Sequence, residues 1–172
     1  SCVGCSDPFA SNYNPNAEID LSSCEYLQSF LLSAEKNIYP NSEESEIENR
    51  IPINLYNYDS DYISGIEIQL VIDPEKIIVS DIDLSTGIFA NEIDYSLLWG
   101  YTSEAQDTLG IILYSLADPI NPGGIHKMFD LVLQVTGDIG EQVSINFVKS
   151  DFNIEEINTN FQKLNIVKGL FQ

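Results

Sequence analysis

The sequence predicts an all-β fold, a β-sandwich of about nine strands in two layers, and three observations carry that expectation. Apolar residues recur at every second position in several runs. Turn-forming residues stand between those runs. No intervening segment has the length and spacing of a crossover helix. Alternation with one wet face is the pattern of an antiparallel sheet that covers a core on one side only.

The strands follow in order. Segment 27–36, with Phe30, Leu31 and Leu32 at its centre, reads as a first strand ahead of a polar acidic stretch. Residues 51–58 form the next, with Ile53 and Leu55 on the core side and Tyr56 on the other. In 66–72, Ile66, Ile68, Leu70 and Ile72 share one face, and Glu67 and Gln69 the other. Residues 76–81, 95–99 and 109–116 continue the series. In 131–136, Leu131, Leu133 and Val135 alternate with Val132, Gln134 and Thr136, and in 143–148 Val143, Ile145 and Phe147 alternate with Ser144 and Asn146. A last strand is expected over 164–170. Turns fall at 59–65, 73–74, 118–124 and 136–141, each rich in Asp, Gly or Pro.

The first 26 residues are of another kind. They hold Cys2, Cys5 and Cys24 among Asn, Asp and Pro, with few aliphatic residues, so burial alone cannot fold them. A Cys5–Cys24 bond would remove about 3 kcal/mol of unfolded-chain entropy. It implies an oxidising setting, extracellular or at a cell surface, and leaves Cys2 over. Free, inert thiols are the alternative, and a zinc site lacks paired ligands. Phe9, Tyr13 and Tyr26 are the expected packing anchors, with Pro8 and Pro15 in turns. The division is therefore a small module over 1–26 and a sandwich over 27–172.

Composition narrows the function. Acids outnumber bases 27 to 7, for a formal charge of -20. A nucleic-acid partner would need phosphate-neutralising cations, and an anionic membrane surface would need basic patches. Disorder is excluded by a 44% hydrophobic content, and no apolar run is long enough to span a bilayer. The chain is expected to be a monomer. An enzyme is not expected: His126 is the sole imidazole, Ser115 and Asp118 are merely its nearest triad partners in sequence, and acids are too abundant for any pair to be diagnostic.

Two binding chemistries remain. Asp7, Asn12, Asn14, Asn16 and Asp20 are hard oxygen donors suited to calcium, although Asn and Asp also form Asx-turns with no metal, and no Asp-x-Asp-x-Asp-Gly signature is present. Tyr56, Tyr58 and Tyr62 gather around Asp59 and Asp61, while Tyr95, Trp99 and Tyr101 form a second aromatic group. Aromatic residues on wet strand faces suit a protein interface or a polysaccharide platform. Trp99 and Tyr101 also fit the rim of the core.

These residues carry two resemblances. Residues 4–24, GCSDPFASNYNPNAEIDLSSC, resemble a Cys-bounded repeat of the form Gly-Cys-Thr-Asp-Pro, Asn-Tyr-Asn-Pro, Asp-Asp-Gly-Ser-Cys, found in secreted and cell-surface proteins of marine and gliding bacteria. Here Leu21 and Ser22 depart from the pattern. From about residue 29 to residue 171 the chain resembles a cohesin domain. The order of features matches: IPINLYNYD, then SGIEIQLVIDPEKIIVSDI with Ile72 where a Tyr is usual, then LSTGIF, GIILYSLAD, GGIHKMFDLVLQVTG and KLNIVKGLF. The resemblance implies a nine-stranded jelly-roll β-sandwich, and a non-catalytic scaffolding or adhesion module that receives a dockerin, a small calcium-loaded helical module, on one sheet face. By that resemblance 66–72, 94–99 and 109–116 carry recognition, which makes Glu67, Gln69, Tyr95 and Tyr114 interface candidates beside Tyr56 and Tyr58. A carbohydrate-binding module and a structural stalk are the rival expectations.

Overall fold

Successive residues of β3 (Asn49–Asn57) alternate between buried and half-buried along its whole length, and β4 (Gly65–Val71) does the same in the opposite phase. That alternation runs through a computed structural model that describes residues 3–7, 10, 12–19, 24–32, 35–41, 48–159 and 162–168. The remaining strands are β1 (Ser29–Leu31), β2 (Glu35–Ile38), β5 (Ile77–Asp83), β6 (Tyr95–Tyr101), β7 (Thr108–Ser115), β8 (Gly124–Val135), β9 (Gln142–Phe152), β10 (Glu155–Glu156), β11 (Asn158–Thr159) and β12 (Gln162–Ile166).

They form two sheets. One has the order β11-β1-β3-β8-β5, the other β2-β12-β9-β4-β7-β6, with β10 paired to β9. β1 lies in the first sheet and β2 in the second, so the chain changes layers between them. Taken as one interrupted strand, β1 and β2 join β3–β9 and β12 to give the expected jelly-roll set. β10 and β11 are two-residue additions.

The core lies between the layers. Phe30, Ile51, Ile53, Leu55, Phe129 and Leu131 come from the first sheet, and Ile68, Leu70, Leu109, Ile111, Leu113 and Ile145 from the second. Phe30 stacks on Phe147 across the gap, with ring centroids 6.2 Å apart. Three bulges break strict alternation. At one, Met128 and Phe129 both turn inward and are fully buried although adjacent in sequence. At another, Val148 is the extra residue between the partners of Gln69 and Leu70, and its side chain is left exposed.

Cys5 and Cys24 are disulfide-bonded, with their Cα atoms 4.8 Å apart. Cys2, Pro8, Phe9 and Asp20 lie outside the described residues. Tyr13 was expected to anchor this loop but is 44% exposed. Tyr26 takes that role. Its ring meets Tyr56 edge-on at 5.5 Å and stacks near Tyr58 at 6.3 Å, and its hydroxyl donates to Asp7 Oδ2 at 2.6 Å. A second tie runs from the Glu25 amide to Asn12 Oδ1 at 2.9 Å.

Below that contact, fully buried Asn57 makes a polar hub. Its Nδ2 donates to the carbonyls of Asp61 and Pro122, and its Oδ1 accepts from Gln28 Nε2 and the Asp61 amide. All of its amide hydrogen-bonding capacity is met, as burial requires.

Candidate functional site

The outer surface of the β9-β4-β7-β6 sheet is built from the positions that strand parity turns away from the core. Register places them in rows. Asp151 stands beside Glu67, Glu67 beside Ile112, and Ile112 beside Leu98. The next row runs Lys149, Gln69, Gly110 and Gly100. On the other side, Gly65, Tyr114 and Ser96 are aligned.

The middle of this surface is apolar and open. Leu98 is 58% exposed, Ile112 42% and Val148 60%, and Ile154 in the turn between β9 and β10 is 96% exposed. Two shallow hollows adjoin there and share Glu67 and Ile112. The larger, about 370 Å³, lies over the Gly100–Gly110 pair and is edged by Gln69, Leu98 and Thr102. The smaller, about 160 Å³, reaches Tyr114, Asp151 and Ile154.

Charge frames the apolar centre. Lys149 Nζ pairs with Glu67 Oε1 at 2.6 Å and with Asp151 Oδ2 at 3.8 Å, and the hydrogen bond to Glu67 raises its pKa. Glu155 and Glu156 of β10 are exposed beside Asp151. The described carboxylates of this edge therefore outnumber its one ammonium. The opposite outer face is closed by the domain's own ions. Arg50 reaches Asp83 at 2.6 Å and Asp130 at 3.5 Å, Lys127 reaches Asp130 at 3.1 Å, and Thr86 donates to Asp130 at 2.9 Å.

The residues singled out from sequence divide between the two faces. Glu67, Gln69 and Tyr114 lie together on the outer surface of the larger sheet. Tyr56 and Tyr58 belong to the other side, where Tyr26 packs against them. The Tyr26–Tyr56 and Tyr56–Tyr58 ring pairs are inclined at 74° and 55°, so these rings do not make one flat platform.

Tyr95 is a correction. It was placed with the outward residues but packs against the core beside Phe89, at 4.7 Å between ring centroids. Its hydroxyl donates to the Ile63 carbonyl at 2.7 Å and accepts from the Ile120 amide at 3.0 Å, and burial raises its pKa. Trp99 and Tyr101 share its parity, and Leu98 is the residue that β6 presents. Leu98, Ile112 and Val148 were missed because isolated aliphatic residues in a strand look like core. The adjacent pair Leu97-Leu98 was the available signal, since two neighbours cannot both face inward in a regular strand.

The loop oxygens considered for calcium have protein donors. Asp7 accepts from Tyr26, Asn12 from the Glu25 amide, and Asn14 from the Asn16 amide at 3.0 Å, an Asx-turn. Among the described residues no group of three or more His, Cys, Asp or Glu converges as metal ligands. His126 lies on β8 and Ser115 on β7, in different sheets, and the His126 ring nitrogen Nε2 is engaged with the Gly123 carbonyl at 2.6 Å.

Comparison with solved structures places this geometry. A cohesin module from a family 33 glycoside hydrolase of Clostridium perfringens superposes with a TM-score of 0.62 at 9% identity, covering 83% of this chain and 98% of that one. The third ScaC cohesin of Acetivibrio cellulolyticus, solved with the ScaB dockerin, gives 0.60 at 14% identity, over 81% and 99%. This chain has the cohesin fold. A non-cellulosomal cohesin from the archaeon Archaeoglobus fulgidus gives 0.55 at 14% identity, over 82% and 91%. No protein-family model and no curated protein matches the sequence.

Proposed function

We propose that this chain is a non-catalytic recognition module of the secreted or cell-surface kind, which holds a dockerin-type helical module of another protein. The partner lies against the outer surface of the β9-β4-β7-β6 sheet. One observation carries the reading: Leu98, Ile112 and Val148 stand exposed on a hydrogen-bonded sheet, framed by carboxylates. Apolar side chains left in water on a rigid surface mark a place where a partner covers them.

Two further facts support it. Several solved cohesins of the same fold are complexes with a dockerin. The Cys5–Cys24 bond agrees with an extracytoplasmic location. In this reading residues 1–26 are a separate small module, spacer or cap to the sandwich over 27–172. Tyr26 makes its contact with the sandwich, through Tyr56 and Tyr58.

Biolayer interferometry against a panel of recombinant, calcium-loaded dockerin modules tests the proposal. The expected result is saturable binding that EDTA removes by unfolding the dockerin, and that Ile112→Asp or Leu98→Asp abolishes. Binding unchanged in both variants would refute the assigned surface. No binding by any dockerin would refute the partner class.

A further inference from the structure

A third hollow, of about 330 Å³, lies where the segment leading into β1, the turn after β3 and β10 meet. It shares no lining residue with the two hollows on the larger sheet. Its volume is within the range of small-ligand sites, about 300–1,000 Å³. The walls are of two kinds. Tyr58, which is 56% exposed, and Tyr26 supply ring surface, their planes within 23° of parallel, and Leu27 and Ile157 add aliphatic surface. Asp59, Glu155 and Glu156 supply carboxylates, all exposed and none with an ion pair among the described residues. Arg50, Lys76, Lys127 and Lys149 are paired with other acids.

Gln28 completes the lining, and the buried hub sets its orientation. Its Nε2 donates to Asn57 Oδ1 at 2.8 Å and to Asp61 Oδ2 at 3.1 Å, which uses both amide hydrogens and leaves Oε1 to accept. The Tyr26 hydroxyl is likewise spent, on Asp7. The side chains around this hollow therefore accept hydrogen bonds, and only the Tyr58 hydroxyl remains to donate one. The complement is a group that donates, carries positive charge and brings an apolar stem to lie on a ring. A bare metal ion does not fit, because among the described residues no three carboxylates converge on one point. A neutral sugar fits less well, since its hydroxyls present acceptors as well as donors.

We infer that this hollow binds an organic cation, an alkylammonium or alkylguanidinium group, with its charged end on Asp59, Glu155, Glu156 and Gln28 Oε1 and its stem against Tyr58. Ring quadrupole and carboxylates attract such a group together. A lysine or arginine side chain of another chain and a free polyamine share this chemistry. The site is separate from the surface assigned above, so either assignment can fail without the other.

Titration of the 15N-labelled full chain at low ionic strength tests it. The probes are Nα-acetyl-lysine methylamide and Nα-acetyl-arginine methylamide, with the neutral norleucine analogue for comparison. The cations should give saturable shifts in the amides of residues 26–28, 58–59 and 155–157, and the norleucine compound none. Tyr58→Leu, with an unchanged melting temperature, lowers the affinity about three- to fivefold, as loss of an exposed cation–π contact should. Glu155→Gln with Glu156→Gln lowers it by about fivefold or more. Glu104→Gln with Asp138→Asn removes the same charge from turns at the other end of the strands and leaves the affinity unchanged.

A second titration compares spermidine with a blocked trilysine peptide of equal charge. Tighter peptide binding supports the site and assigns it to a basic segment of another chain, and tighter spermidine binding supports it as a polyamine site. Equal shifts from the norleucine compound overturn the site. So does an equal loss of affinity in the Glu104 and Asp138 variant, which leaves only diffuse attraction to an acidic body. Saturable shifts at the same amides from cellotetraose, with none from the cations, replace the cation with a polysaccharide and overturn the assignment.

Discussion

Asn57 is the residue on which the loops at one end of the sandwich converge. Removing its amide leaves the Asp61 amide, the Pro122 carbonyl and Gln28 without their buried partner. Each unsatisfied buried group costs about 1–3 kcal/mol, so Asn57→Ala is expected to destabilise by about 3 kcal/mol in chemical denaturation. A drop in the melting temperature of about 6–12 °C should accompany it. Asp83 makes a pH prediction of defined sign. Hydrogen bonds from Ser85, and then from Arg50, lower its pKa from 3.8 to about 2. The carboxylate is favoured in the folded chain, so its stabilisation is complete above about pH 4 and is lost as pH falls through about 2. In Ser85→Ala combined with Arg50→Gln, the Asp83 carboxyl followed by NMR should titrate nearer 3.8. Residue-level parity was largely legible in the sequence, because a period of two repeats cleanly where only one phase is apolar, as over Ile66, Ile68 and Leu70. At Tyr95 the cohesin resemblance was followed instead, although Tyr95, Leu97, Trp99 and Tyr101 share the apolar phase of β6 against Ser96, Leu98 and Gly100. Period alone gives two faces without saying which is wet.

Among the elements, β8 was the one whose beginning escaped. Its first residues, Gly124 to His126, read as a turn ahead of a strand beginning near Lys127, and its bulge buries Met128 and Phe129 together, against any alternating pattern. Such a bulge depends on the partner strand, so no local reading finds it. The N-terminal loop is an element of another kind, held by one covalent bond and a few hydrogen bonds rather than by a core. Reduction, or Cys5→Ser with Cys24→Ser, is therefore expected to expose residues 5–24 to limited proteolysis. The sandwich should keep its own unfolding transition, within about 1 kcal/mol, since its core contains neither cysteine. Loss of the sandwich transition on reduction would show that the loop does more than cap.

For the whole molecule, charge is the dominant property after the fold. On the proposed function, an acidic body whose recognition surface carries Glu67 and Asp151 steers a basic partner from a distance, and salt screens that steering. Association rates measured between about 0.05 and 0.5 M NaCl should fall about tenfold or more, with a much smaller change in dissociation rate. A salt-independent association rate would mean that the acids serve solubility alone. The surface itself was half legible. Glu67, Gln69 and Tyr114 were placed on it by the cohesin resemblance, while its apolar centre was not. Exposure of Leu98 and Val148 is a property of two layers already filled by other side chains, which no single strand records.

One feature of the layers bears on load. β2 runs parallel to β12, pairing Glu35 with Lys163 through to Ile38 with Ile166, and β1 likewise runs parallel to β11. When tension enters ahead of β1 and leaves after β12, these ribbons are drawn lengthwise past each other. Their backbone hydrogen bonds, which lie across the strands, then strain together rather than one after another. Such a geometry makes forced rupture slow, and rupture rate is what decides survival under pull. Optical-tweezers extension from those two ends should need a markedly larger force than extension that peels β6 from β7.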